Sequence, residues 1–166
     1  SSRNENLKIA YEFKKYRSEK NKDALDYGMA IHQLFSKINN REDLNEALNE
    51  SLTEGIISHS EMEILTDKIN RIIDLDPVTS WFSEQGEKFL ERELVDAEGN
   101  LLRPDRIVII DNKVSVIDYK TGQMNEKKLS KYRNQVNQYA EAFRSMNYMD
   151  VKGYIIAIDE EKVLEL

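Results

Sequence analysis

Two short runs of β-branched and other apolar residues, at 107–110 and 114–117, form the clearest pattern in this sequence. Asp111-Asn112-Lys113 separates them. Apolar runs on either side of turn-forming residues predict a β-hairpin. The second run continues directly into Asp118-Tyr119-Lys120, so a strand predicted to be buried ends in charged residues. Candidate chemistry therefore lies at the end of this hairpin.

The loop of the hairpin decides which charged side chains meet. A two-residue loop at Asn112-Lys113 sets Asp105 opposite Lys120, whereas a loop at Asp111-Asn112 sets Asp105 opposite Asp118. In both cases these three side chains share one face, about 4.5–8 Å apart at Cβ. A three-residue loop would send Asp105 to the other face. If Asp105, Asp118 and Lys120 do share a face, they form either a partly exposed ion pair or a site for a hard cation, with the lysine close to a reacting phosphate.

The first half of the chain has helical periodicity. Apolar spacing predicts a helix over residues 5–20, a second from Asp23 or Ala24 to Ile38, and two more over 42–57 and 61–73. Ser60 and Glu63 have the spacing of a capping box for the last of these. Asp76-Pro77 fits the start of a further short helical turn that ends near Trp81-Phe82.

In the second half of the chain, the spacing of apolar residues changes from helical to strand-like. Residues 88–95 suggest a strand entering a sheet, followed by a turn over 96–100 and then the hairpin. A helix is predicted over 126–146, and two short strands over 154–158 and 163–166. This order predicts an α/β fold, with a small central mixed β-sheet flanked by helices and a helical N-terminal half.

Composition narrows the possible classes of protein. A chain of 166 residues suits one domain. The sequence contains no cysteine, which excludes disulfides, a thiolate zinc site and an iron–sulfur cluster, and is typical of the cytoplasm. Neither an apolar run of roughly 20 residues nor a signal-peptide pattern is present. The chain opens with Ser1-Ser2 rather than methionine, which suggests a fragment of a longer protein.

Charge is unevenly distributed. The net charge of −7 argues at first against a nucleic-acid partner. Residues 41–76, however, hold ten acidic residues against three basic, while residues 103–133 hold eight basic against four acidic. The basic excess therefore surrounds the hairpin. This excess of positive charge is modest, and a solvent-exposed face without a nucleic-acid partner could have the same composition.

Two helices carry residues whose role the pattern leaves open. Gly28 and His32 lie four apart and hence on one helical face, as do Gln135 and Tyr139. A single histidine among apolar residues is more often a core residue than a ligand, and aromatic residues at helical spacing are usually core.

Taken in order, these motifs resemble the RecB-type nuclease domain of the PD-(D/E)XK superfamily, and most of all the C-terminal nuclease of AddA/RecB-like helicase–nucleases. The resemblance covers residues 24–166. The family pattern is a Gly-x-x-x-His helix, an acidic residue on a first strand, Asp-Arg, Asp-Tyr-Lys-Thr and a Gln-x-x-x-Tyr helix. The matching positions are Gly28 and His32, Glu91 or Glu93, Asp105-Arg106, residues 118–121, and Gln135 with Tyr139. Arg103-Pro104 stands where relatives commonly have glycine.

The resemblance implies a restriction-endonuclease-like fold and roles for these residues. His32, Asp105, Asp118 and the Tyr119 carbonyl would bind Mg²⁺ or Mn²⁺, without an iron–sulfur cluster. Lys120 would position water or stabilise charge on the phosphoryl oxygens. Gln135, Tyr139 and the first-strand acidic residue, Glu91 or Glu93, would complete the catalytic group.

The resemblance also implies a function. The expected reaction is hydrolysis of DNA phosphodiester bonds, by an exonuclease that acts on single-stranded or unwound ends in recombinational repair. The expected partners are a helicase domain of the same polypeptide and a further subunit. Residues 1–166 would form a single nuclease domain, with a helical part at 1–86 and a catalytic sheet at 87–166. Alternatives are a stand-alone endonuclease and a non-catalytic DNA-binding module. The expected DNA-contacting residues are Arg106, Lys127, Lys128, Lys131 and Arg133.

Overall fold

A computed structural model describes residues 26–166. The helix predicted over 5–20 lies outside these residues. Helix α1 occupies residues 26–35 of the described part. A 3₁₀ turn at Arg41–Asp43 leads into α2 (Leu44–Thr53), and α3 (His59–Ile73) and the short α4 (Val78–Trp81) follow. The predicted helical character of the first half is confirmed, although α2 begins later and ends earlier than expected.

The N-terminus of α3 differs from the prediction by two residues. Ser58, rather than Ser60, is the N-cap, and its hydroxyl accepts a hydrogen bond from the backbone of Glu61. The Glu61 carboxylate accepts one from the Ser58 backbone in return. Ser58–Glu61 and Ser60–Glu63 have the same spacing, so the sequence pattern alone did not separate the two possible capping boxes.

A mixed sheet of five strands forms the second half. Its strands are β1 (Glu87–Leu90), β4 (Arg106–Ile110), β5 (Lys113–Lys120), β6 (Asp150–Ala157) and β7 (Lys162–Glu165), in the order β1-β4-β5-β6-β7. Strands β5 and β6 are parallel, and the other pairs are antiparallel. Strands β2 (Leu94–Val95) and β3 (Leu101–Leu102) form a separate small hairpin. The predicted α/β fold with a central mixed sheet is confirmed.

The register of the β4–β5 hairpin follows from its turn. Ile110 pairs with Lys113, so the loop consists of Asp111 and Asn112, whose φ angles are 50° and 62°. Such positive angles are typical of a two-residue hairpin turn, and Asp and Asn tolerate them better than most residues. Of the two even-numbered registers, the structure has the one that places Asp105 opposite Asp118.

Helices cover both faces of the sheet. Side chains of α1–α4 pack against one face, where Val108, Ile117 and Tyr119 are buried. Helix α5 (Glu126–Ser145) packs against the other face. A Cβ atom on Gly153 would lie 2.0 Å from Val136 Cγ1, so glycine in β6 lets α5 approach the sheet backbone. None of the helices within residues 26–166 has the length and apolar content needed to cross a bilayer.

Arg106 is fully buried on the face covered by α1–α4, and its assignment to a DNA-contacting surface is wrong. Its guanidinium donates to the Tyr119 hydroxyl at 2.8 Å and to the Trp81 carbonyl at 2.9 Å. It also donates to the carbonyls of Ile38 and Asn39, just beyond α1. Arg106 therefore attaches the segment after α1 to the sheet.

Candidate metal and catalytic site

Helix α1 brings His32 to the end of the β4–β5 hairpin. His32 Nδ1 lies 3.1 Å from Asp105 Oδ1. One turn earlier, a Cβ atom on Gly28 would lie 3.2 Å from Thr121 Oγ1, just after β5. The absence of a side chain at Gly28 lets the helix approach this strand end closely, and His32 lies on the same helical face. The Gly-x-x-x-His spacing thus has a structural explanation.

Glu91 is the acidic residue that lies close to His32 and Asp105. It follows β1 with a φ of 53°, and its N–H donates to the Asp105 carbonyl at 3.0 Å. The predicted strand through 88–95 is therefore interrupted at Glu91, and Glu93 is exposed. Arg103, for which the sequence pattern suggested no role, holds Glu91 through an ion pair of 3.3 Å and a hydrogen bond to its carbonyl.

His32, Glu91 and Asp105 form a compact group of possible ligands. One ligand atom from each lies within 4.8 Å of the other two. Burial, followed by the charge of Asp105, raises the pKa of the Glu91 carboxyl above its ordinary value. The hydrogen bond to Asp105 raises the pKa of the His32 imidazole, against the opposing effect of burial. The three side chains therefore favour binding of a positively charged species between them, either a proton or a metal cation.

Asp118 lies beside this group but is not one of its three members. Its Oδ1 accepts a hydrogen bond from the Asp105 N–H at 3.0 Å, and Asp105 Oδ2 accepts one from the Tyr119 N–H at 2.8 Å. Burial first, and then the charge of Asp105, raise the pKa of Asp118 to about 6. The two carboxylates are therefore held together by the backbone, and the charge of Asp105 makes ionisation of Asp118 harder.

The donor set fits a divalent cation. One imidazole nitrogen and carboxylate oxygens are ligands that suit Mn²⁺ and are compatible with Mg²⁺. The observation that supports this fit is the proximity of His32, Glu91 and Asp105. Burial first, and then the charge of Asp105, raise the pKa of both Glu91 and Asp118. The structure adds Glu91 to the ligands expected from the sequence. Ligation by Asp118 and by the Tyr119 carbonyl remains a prediction.

Lys120 and helix α5 form the other wall of the site. The Lys120 ammonium lies 4.4 Å from the centre of the Tyr132 ring, a cation–π contact that the sequence pattern did not reveal. Tyr139 is buried, and burial followed by the charges of Asp118 and Asp105 raises the pKa of its phenol. Gln135 acts on the Tyr139 phenol in the opposite direction. Tyr139 therefore lies near the two aspartates, and Gln135 contacts the Tyr139 phenol.

The remaining expected DNA-contacting residues lie along the first two turns of α5. Lys127, Lys128, Lys131 and Arg133 are all exposed there. Lys128 Nζ also donates to the Gln123 carbonyl at 3.0 Å, in the loop between β5 and α5. Tyr132, in the same part of α5, contacts Lys120, so the exposed basic side chains border the site rather than form it.

The fold and this group of residues define a nuclease-like α/β protein, and comparison with known sequences identifies the family. Residues 5–163 match the PD-(D/E)XK nuclease superfamily. The chain belongs to this superfamily of nucleases.

Other comparisons add little to the assignment. Among curated proteins, none matches the chain. Ten chains of solved structures do match. One of them, described as "Crystal structure of SSO0001", is 19% identical, with a TM-score of 0.30, and the match covers 81% of this chain and 64% of that one. The family assignment therefore rests on the sequence match and not on this structure.

The raised pKa of Asp118 predicts a stabilising substitution. In metal-free protein at pH 8, we expect Asp118→Asn to raise the free energy of unfolding by on the order of 2 kcal/mol, because the amide keeps the hydrogen bond and removes a buried charge. Since the folded pKa of about 6 exceeds the unfolded value, the wild type loses stability as the pH rises through about 6. Below pH 4 the two proteins should be equally stable.

Urea denaturation with a chelator present, at several pH values, measures this difference. Asp111→Asn is the matched control, because Asp111 is exposed in the turn of the same hairpin. It should leave the pH dependence unchanged. A wild-type protein that is more stable than Asp118→Asn at pH 8 would show that the ionised carboxylate stabilises the fold, contrary to this prediction.

Proposed function

We propose that this chain is a RecB-type nuclease domain that hydrolyses DNA phosphodiester bonds with Mg²⁺ or Mn²⁺. The observation that carries the proposal is the group of His32, Glu91 and Asp105, with Asp118 and Lys120 beside it, in a chain of the PD-(D/E)XK nuclease superfamily. A structural ion pair alone would not require three acidic side chains and a histidine at one point of the sheet.

The residues of the site have different proposed roles. His32, Glu91 and Asp105 would hold the cation, and Asp118 fixes the Asp105 backbone and adds negative charge. A bound divalent cation would neutralise the phosphodiester and lower the pKa of the attacking water. Lys120, held over the Tyr132 ring, would stabilise the negative charge that grows on the phosphoryl oxygens. Tyr139 is buried and would help to exclude water from the aspartates, while Gln135 would orient the Tyr139 phenol.

The biological setting belongs to the same proposal. The motif order supports a role as the exonuclease module of an AddA/RecB-like helicase–nuclease, which processes DNA ends in the cytoplasm during recombinational repair. The helicase would be part of the same polypeptide and would deliver unwound single strands. The four exposed basic residues of α5 suit guidance of a delivered strand, because tight independent binding requires more phosphate contacts than they offer.

Cleavage of end-labelled single-stranded DNA tests the proposal. We expect the chain to cut it with Mg²⁺ or Mn²⁺, to stop in the presence of a chelator, and to cut linear but not circular single strands. Asp105→Asn should abolish cutting, because Asp105 belongs to the cation-binding group and also contacts Asp118 and Tyr119. Asp111→Asn, in the exposed turn of the same hairpin, should cut normally.

The other outcomes identify the alternatives. Cutting of circular single strands would indicate an endonuclease. DNA binding without cutting under any divalent metal would indicate a non-catalytic module. Undiminished cutting by Asp105→Asn would contradict the proposed site.

A further inference from the structure

The acidic turn after β6 makes contacts that its sequence did not suggest. Asp159, Glu160 and Glu161 follow one another, and each carboxylate holds a different partner. Glu160 Oε1 accepts from the Met124 N–H at 2.9 Å, and Glu161 Oε1 pairs with Arg71 of α3 at 2.6 Å. Asp159 contacts three elements, namely α1, α3 and the loop after β5, and so makes more contacts between elements than either neighbour.

The contacts of Asp159 converge on the elements that form the site. Its Oδ1 accepts from the Tyr27 hydroxyl of α1 at 3.2 Å and lies 3.6 Å from Lys68 Nζ of α3. Its Oδ2 accepts from the Gly122 N–H at 2.5 Å, two residues after Lys120. Strands β5 and β6 are parallel and end side by side, since the Ile158 N–H donates to the Lys120 carbonyl at 2.9 Å. Asp159 therefore connects α1 directly to the end of the strand that carries Asp118 and Lys120.

Helix α1 is thereby held on both sides of His32. Beyond its carboxyl end, Arg106 binds the carbonyls of Ile38 and Asn39. Toward its amino end, Tyr27 contacts Asp159, and Gly28 adjoins Thr121. Tyr27 and His32 are five residues apart, about 7.5 Å along a helix, so a shift at Tyr27 is transmitted to His32 with little loss.

We propose that Asp159 and Tyr27 form a latch that positions His32 in the cation-binding group. Neither residue is a member of that group, so both act through the placement of α1 and of the loop after β5. This inference rests on the proposed function, because it assigns the latch an effect on the affinity of the site for a divalent cation. Removal of the latch should weaken cation binding while every ligand is still present.

The two histidines of the chain provide the measurement. His59 is exposed at the start of α3 and serves as an internal reference for His32. In NMR spectra of the wild-type chain, added Mn²⁺ should broaden the His32 imidazole signal first and leave the His59 signal sharp. Asp159→Ala should require about tenfold more Mn²⁺ for the same broadening, by analogy with residues that orient metal ligands. Tyr27→Phe, which removes one oxygen atom, should act in the same direction but less strongly.

Control variants separate the latch from general loss of stability. Glu161→Gln changes the same turn but releases Arg71 rather than α1, and it should match the wild type. The double variant Tyr27→Phe/Asp159→Ala should bind Mn²⁺ no more weakly than Asp159→Ala alone, because Asp159→Ala already removes the contact that Tyr27→Phe removes. In metal-free protein, Tyr27→Phe should shift the His32 signal without moving that of His59.

The outcomes are distinguishable. Wild-type Mn²⁺ affinity in folded Tyr27→Phe and Asp159→Ala, together with an unmoved His32 signal, would overturn the latch. If Asp159→Ala does not fold, Tyr27→Phe decides the question alone. A wild-type His32 signal that Mn²⁺ does not broaden would overturn the proposed cation site instead, and the metal-free shift of His32 in Tyr27→Phe would still decide whether the latch positions it.

Discussion

Arg106→Met should lower the free energy of unfolding by about 3–5 kcal/mol, the range expected when one partner of a buried charged network is removed. The guanidinium is fully buried and donates to four acceptors, namely the Tyr119 hydroxyl and the carbonyls of Ile38, Asn39 and Trp81. Methionine fills much of the volume but donates no hydrogen bond, and buried acceptors left unpaired each cost about 1–3 kcal/mol. The Phe82 ring, whose centre lies 3.8 Å from the guanidinium carbon, is also deprived of its cation–π partner.

Denaturation by urea, followed by far-ultraviolet circular dichroism, measures this decrease in stability. Arg133→Met is the matched control, because Arg133 is exposed on α5, and this substitution should change stability by less than about 0.5 kcal/mol. Arg106→Lys should also be destabilising, since one ammonium group cannot reproduce the planar arrangement of five donors. Wild-type stability in Arg106→Met would show that these hydrogen bonds contribute no net free energy.

The buried role of Arg106 also marks a limit of sequence-based reasoning. Its charge and its place in a basic region suggested an exposed residue. Its acceptors are mostly carbonyls from segments 25 to 68 positions away in the sequence, and every residue type carries a carbonyl. No residue pattern could therefore reveal them.

Local geometry was predicted better than tertiary contacts. The hairpin and the shared face of Asp105, Asp118 and Lys120 follow from alternation along strands, and two registers remained open because Asp111, Asn112 and Lys113 can all occupy a turn. The structure selects the loop whose two residues tolerate positive φ. Glu91 could not be separated from Glu93 because its φ of 53° breaks the strand at a residue that is not glycine.

The last expected result concerns Lys120. Lys120→Ala should lower kcat for DNA cleavage by at least about 10², with nearly unchanged affinity for Mn²⁺ and for DNA, as expected for an interaction made chiefly in the transition state. The lysine is half-buried over Tyr132 and shares its strand face with Asp118, but it is not part of the His32, Glu91 and Asp105 group. Its removal therefore leaves the expected cation ligands in place.

Lys113→Ala is the matched control for this variant. Lys113 is exposed at the other end of β5, so the same substitution on the same strand should leave kcat unchanged. Single-turnover kinetics at saturating DNA, with Mn²⁺ affinity measured separately, distinguish an impaired chemical step from impaired binding.

The basic residues of α5 should behave in the opposite way. Charge reversal at Lys127, Lys128 and Lys131 should weaken DNA binding and reduce the slope of its salt dependence by up to about 1 for each phosphate that is no longer neutralised, with kcat preserved. Combined with Lys120→Ala, these changes should be nearly additive, because the exposed helix end borders the site without belonging to it. If Lys120→Ala instead weakened DNA binding and kept turnover, Lys120 would anchor a phosphate. The charge on the phosphoryl oxygens would then have to be stabilised by the cation-binding group alone.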